Sequence, residues 1–135
     1  MKSFVISSIL IFFLFNSCQN SINKYHYHLN EGIKEVYNAD YDAAEKNLRL
    51  AIKYDKEKAE PYYYFCIIEF HKTNYKEAMK WVDISLEKNE KYGEAYKTKA
   101  QIYFLLNDRT NACKYYRLAE KYGIKNLSNH LKYCP

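Results

Sequence analysis

The chain has 135 residues, 18% of them aromatic and 27% charged, with 3 Gly and 2 Pro; the length suits one domain. This composition excludes collagen-like, linker-like and disordered classes, which need Gly and Pro in excess or few aromatics. The net charge of +5 is carried by 18 Lys and only 3 Arg, a poor basis for nucleic-acid readout, which leans on Arg forks. Sixteen Tyr and 7 Phe supply a core and leave hydroxyls for wet surfaces. Scarce Gly and Pro also argue against an all-β domain dense in turns.

The chain opens with Met1 and Lys2, then an apolar run from Phe4 to Phe15. A membrane-spanning helix needs roughly 20 such residues, so the run fits the apolar region of a secretory signal instead. No Ala precedes Ala39, which removes the usual A-x-A cleavage pattern. In its place stands Phe15-Asn16-Ser17-Cys18, followed by polar Gln19-Asn20-Ser21. A small residue directly before Cys at the end of an apolar run resembles a bacterial lipoprotein lipobox. The resemblance implies cleavage before Cys18 and diacylation of its sulfur. Phe15 departs from the usual Leu and Asn16 from the usual small residue, a relaxed form similar to those of the Bacteroidota. Residues 1–17 are thus expected to be a signal peptide and 18–24 a lipid-anchored tether. The alternative is an ordinary signal peptide with a chance Cys nearby. On the first reading the chain is exported to the cell envelope, at the outer membrane, and more than one acyl chain makes the anchor stable.

Beyond the tether a period of 34 organises the sequence. Ala44, Ala78 and Ala112 follow it, as do Ala51, Ser85 and Ala119. Bulky Leu48, Val82 and Tyr116 share it, with Gly32, Cys66 and Ala100, and with Tyr41 and Tyr75. Small residues beside bulky ones at helical spacing let two helix backbones approach. The pattern predicts helices at about 25–37, 41–54, 59–72, 75–88, 93–106 and 109–122. Pro61 falls in a first turn, where its missing N–H costs nothing. Asn74 and Asp108 stand at N-cap positions, and Gly123 at a helix stop. Leu127 and Leu131 would dock a short capping helix over 127–133.

The unit resembles the tetratricopeptide repeat, a 34-residue antiparallel helix pair, most clearly at Asp40 to Ala44 with Leu48 and Ala51, and at Asn74 to Ala78 with Val82 and Ser85. The resemblance implies an all-α fold: a right-handed superhelical solenoid of three helix pairs (25–58, 59–92, 93–126) with a C-terminal cap over 127–135. Arg109 replaces the turn tyrosine, and Lys56, Glu90 and Ile124 replace the usual proline between repeats. His28 and Glu31 stand where bulky apolar residues are usual. Three copies are near the minimum for a stable stack, since each needs a neighbour to cover its face.

Cys66 falls in a small-residue series and reads as a buried thiol. Cys113 and Cys134 lie 21 residues apart. If the cap folds back antiparallel, its end returns to the start of the last repeat helix, and an oxidising compartment favours a bridge; the alternative is two separate thiols. No Cys/His spacing suggests zinc, so no metal is expected.

No phosphate-cradling loop, G-x-S-x-G or H-E-x-x-H pattern occurs. His26, His28, His71 and His130 are scattered, and Glu69, within the apolar run from Tyr62 to Phe70, reads as hydrogen-bonded to a neighbouring tyrosine hydroxyl. Neither an enzyme nor a cofactor is expected. By the resemblance, the first helix of each copy lines a concave peptide-binding groove. That places Leu29, Ile33, Val36 and Tyr37 there from the first copy, Tyr63, Ile67, Phe70 and His71 from the second, and Lys97, Gln101, Phe104 and Leu105 from the third. The lysine and asparagine clamp that some members use for a free C-terminus is incomplete, with Leu29 and Ile33 in the first copy. An apolar or aromatic protein segment is therefore the expected ligand. Residues 18–94 sum to −2 and residues 95–135 to +6, either a solvated face or an attraction to anionic partners; nucleic acid does not suit the inferred compartment. The reading is a non-enzymatic, membrane-anchored adaptor that scaffolds an envelope complex. A glycan-binding surface lipoprotein is the alternative, with tyrosine faces stacking on sugars.

Overall fold

The computed structural model describes residues 2–132 and 134, with side chains from residue 19 onward. Seven helices follow one another among the described residues: α1 (Lys2–Tyr37), α2 (Tyr41–Tyr54), α3 (Glu60–His71), α4 (Tyr75–Lys88), α5 (Gly93–Leu105), α6 (Arg109–Lys121) and α7 (Ser128–Leu131). They pack as consecutive pairs, α1 on α2, α3 on α4 and α5 on α6. The pairs stack through α2 on α3 and α4 on α5, while α1 meets α3 and α3 meets α5. The architecture is an all-α solenoid of three helix pairs closed by a short cap.

The period of 34 fills the seams. Ala44, Ala51, Ala78 and Ala119 are fully buried, as are Leu48 and Val82. Gly32 is held to its size by Leu48, whose side-chain carbons would lie 3.0 Å from an added Cβ. Ser85, standing where the other copies have Ala, is fully buried, and its hydroxyl donates to the Ala59 carbonyl at 3.0 Å. A buried hydroxyl without such a partner would be costly.

The same period appears in the backbone. Ala39, Thr73 and Asn107 have φ of 59°, 61° and 61°, one just past the end of each first helix. Around each, two amides close the helix: Ala39 N–H to Val36 O and Asp40 N–H to Glu35 O, with equivalents at Thr73/Asn74 and Asn107/Asp108. This is the Schellman arrangement, usually built on Gly. Asp40 and Asp108 then cap the second helices, accepting from the amides of Ala43 and Asn111. Asn74 was expected to do the same, but its side-chain amide donates to Glu69 Oε2 at 2.9 Å. Glu69 is thereby engaged by Asn74 and Lys72, not by the expected tyrosine hydroxyl.

Between repeats, where the usual proline is missing, Asp55 Oδ1 accepts from Glu57 N–H and Asn89 Oδ1 from Lys91 N–H, both at 3.0 Å. These side-chain turns are 34 residues apart and shape the loops in its place. At the third such point Gly123 takes φ 97°.

Two differences concern the N-terminal side. Residues 19–24, expected as a tether, continue α1 as helix. Ser21 Oγ reaches the Tyr54 carbonyl at 3.5 Å and Lys24 lies over the Tyr54 ring, so this turn is docked on α2. Of the two atypical residues of the first helix, His28 enters a polar seam, stacking on Tyr54 and bonding Asn47, which donates to Glu35, while Glu31 pairs with Lys34 at the surface. The expected acylation of Cys18 and cleavage after residue 17 lie outside the described side chains. Among the described residues no helix is long and apolar enough to cross a membrane.

At the other end Cys113 and Cys134 are joined by a disulfide with Cα atoms 5.6 Å apart. The cap is shorter than expected, a single turn, and is held by buried Leu127, by Leu131 and by the His130 ring on Tyr116 at 4.6 Å.

Candidate functional site

Because α1 touches α3 and α3 touches α5, each also packed on its own partner among α2, α4 and α6, the first helices form a layer of their own. A cavity of about 420 Å³ opens in it, lined by Val36 and Tyr37 at the end of α1, Tyr63, Tyr64, Ile67 and His71 along α3, and Tyr92 and Glu94 at the entry to α5. Five of the expected groove residues, Val36, Tyr37, Tyr63, Ile67 and His71, are thus brought together.

The other seven are not part of this cavity. Leu29 is buried in the core with Leu48 and Phe65, and Ile33 packs against the same cluster. Phe70 is drawn inward to the cluster around Cys66, Ala78 and Val82, its ring 5.8 Å from Tyr75. Lys97 and Gln101 are half-buried further along α5. Phe104 and Leu105 are exposed at its end, where Phe104 lines a separate cavity of about 390 Å³ with Arg109, Cys113, Tyr116 and His130. The shortening has a physical cause: α1 fills its inner face against α2 and α3, which leaves only its last turn open.

Tyr64, Tyr92 and Glu94 were not anticipated. Tyr92 precedes α5, in the connecting segment that a count of first-helix positions passes over. The run Tyr62-Tyr63-Tyr64 could have signalled the second aromatic wall, since adjacent helical residues point about 100° apart.

The rings brace one another. Tyr63 lies 5.0 Å from Tyr92 and 5.3 Å from Tyr64 between centroids, spacings favourable for aromatic pairs. Tyr63 Oη and Thr98 Oγ1 are 3.4 Å apart, and Tyr41 Oη meets His71 Nδ1 at 3.2 Å. Burial pushes the Tyr64 phenol up to about 12, helped by the nearby Tyr37. Burial likewise raises Tyr63 and Tyr92. The phenols are therefore neutral hydroxyls at physiological pH, able to donate and accept. The site can offer flat apolar faces edged with hydrogen-bonding groups, which suits a peptide better than bond-breaking chemistry. Among the described residues no three His, Cys, Asp or Glu side chains gather as a metal site would require.

No family profile matches the chain. It is similar to TPR repeat-containing protein MJ1428 of Methanocaldococcus jannaschii, 31% identical over 109 residues that cover 79% of this chain. The chain spans 18% of that relative's length. Among solved structures it is similar to the TPR2B domain of yeast Sti1, seen in a complex with pHsp70, at a TM-score of 0.70 and 18% identity. That match covers 81% of this chain and 90% of the yeast chain. The fold is that of a tetratricopeptide-like helical-repeat protein.

Proposed function

We propose that this chain is a non-enzymatic adaptor, lipid-anchored in a bacterial cell envelope, whose concave cavity docks a segment of a partner protein. The observation that carries the reading is the convergence of Tyr37, Tyr63, Tyr64 and Tyr92 on one cavity in the first-helix layer. Tyrosine is enriched in protein interfaces because its ring is apolar and its hydroxyl wet. The yeast TPR2B domain of similar fold is a complex with pHsp70, which supports a protein ligand for a cavity in this layer. Membrane attachment rests on the Ser17-Cys18 junction after the apolar run.

Two measurements test the reading. Intact mass of the membrane-bound protein should give a chain beginning at Cys18 plus acyl mass, and Cys18→Ala protein fully retained in the membrane removes the anchor. Affinity capture from detergent-solubilised envelopes should retain a protein that Tyr37→Ala releases. Binding to a glycan panel with no protein captured instead favours a sugar-binding lipoprotein.

A further inference from the structure

The cavity is aromatic, and it is also one-sided in charge. Its lining contains Glu94 and no Lys or Arg. Glu94 is exposed at the start of α5 and has no ion-pair partner among the described residues, where Lys34, Lys72, Lys80, Lys88 and Lys99 all pair with other acids. The His71 ring is turned to the Tyr41 hydroxyl. An acid in the first turn of a helix gains from the helix dipole, which accounts for an acidic residue at this point in the chain. It does not account for the four tyrosines that line the same cavity. Tyrosine faces are negative at the centre and attract cations, above all when water is excluded, and an aromatic cage beside a carboxylate is a general solution for holding a cation. Guanidinium fits best, being planar, weakly hydrated and able to stack while its edge donates to a carboxylate.

We propose that the cavity between Tyr37, Tyr63, Tyr64 and Tyr92 receives an arginine side chain of the docked segment, its guanidinium on the tyrosine faces and its charge met by Glu94. The proposal rests on the adaptor reading for the source of that arginine and deepens it: the partner segment is apolar with a basic anchor. This is the opposite polarity to a clamp for a free C-terminus.

The test is a titration of the full chain, purified in detergent and labelled at tyrosine rings for NMR, with N-acetylarginine amide and with its neutral isostere N-acetylcitrulline amide. Saturable shifts of the Tyr37, Tyr63, Tyr64 and Tyr92 rings with the arginine compound are expected, at an affinity at least tenfold above the citrulline compound. Glu94→Gln should reduce that affinity at least threefold, and so should Tyr37→Ala. Tyr37 is 79% exposed, so its replacement leaves the fold intact; equal circular dichroism will confirm this for both variants. Equal response to the two compounds, an unchanged affinity in Glu94→Gln, or shifts confined to other tyrosines would each overturn the proposal. A selective arginine response with no protein captured at the cavity would leave this site standing and remove the adaptor reading instead.

Discussion

The Ser85 hydroxyl of α4 donates to the Ala59 carbonyl just before α3, across 26 residues of chain. The same carbonyl also accepts the Tyr63 amide at 3.1 Å, so it closes the first turn of α3 and ties that turn to α4. Ser85 stands in the series Ala51, Ser85, Ala119, and the middle repeat alone of the three has a hydroxyl there.

Ser85→Ala should therefore cost about 0.5–1.5 kcal/mol, the net worth of one hydrogen bond. It should not reach the larger cost of an orphaned buried carbonyl, because the Tyr63 amide remains. Urea unfolding monitored by circular dichroism measures it. A loss above about 3 kcal/mol would mean that the hydroxyl does more than tie these two helices.

Thr73 bears a β-branched side chain at φ 61°, a conformation that costs an ordinary residue roughly 1–2 kcal/mol. Thr73→Gly should stabilise the protein by about 0.5–1 kcal/mol, the relief being offset in part by the extra freedom Gly gives the unfolded chain. Asn107 at the matching turn tolerates this region better, so Asn107→Gly should gain less. Paired melting curves for the two variants check the order, and a destabilised Thr73→Gly would contradict it.

The Cys113–Cys134 disulfide closes a loop of 21 residues. Its removal by Cys113→Ser should cost roughly 3 kcal/mol on the chain-entropy account. The cap is only four residues of helix, far below the length at which a helix holds itself in water. Loss of the bridge should therefore raise amide exchange first at Ser128 to Lys132, with α1 to α4 unaffected. Uniform exchange across all helices would instead show that the bridge supports the whole array.

Cys66 is fully buried, and burial first, then the charge of Asp83, pushes its thiol up to about 12. Alkylation requires the thiolate, so iodoacetamide at pH 8.5 should leave Cys66 intact in the native protein and modify it in urea. The folded state binds this proton more tightly than the unfolded state, so the contribution is complete at neutral pH. It declines once pH passes the ordinary thiol range near 8.5 and is lost as pH approaches 12. Mass spectrometry after a timed pulse, with denaturation midpoints at pH 7 and pH 10, reads both effects. Rapid native alkylation would place Cys66 at an accessible surface.

The helices were legible because a repeat multiplies each weak signal by three: Ala44, Ala78 and Ala112 locate the same seam independently. The bridge was legible because Gly123 sets the return of the chain and Cys134 lies near its end. The cavity was legible only in part. Tyr37, Tyr63 and Ile67 follow from helix position, whereas Tyr92 enters from a connecting segment. The burial of Leu29 in the core and the packing of Phe70 against it depend on how closely neighbouring helices stack, a tertiary distance that no spacing in the sequence encodes. The turns at Ala39, Thr73 and Asn107 were hidden for another reason: three different residue types occupy one backbone conformation, and none is the Gly that marks it.

The central claim is that a partner protein docks in the tyrosine-lined cavity, and site-specific photo-crosslinking in intact cells tests it most directly. An aromatic photoreactive residue in place of Tyr37, which keeps a ring at the cavity mouth, should yield a discrete protein adduct that weakens at least threefold when Glu94→Gln is added. The same group in place of Lys46, exposed on α2, should not yield that adduct. The absence of any protein adduct at Tyr37, or the same adducts from both positions, would contradict the account.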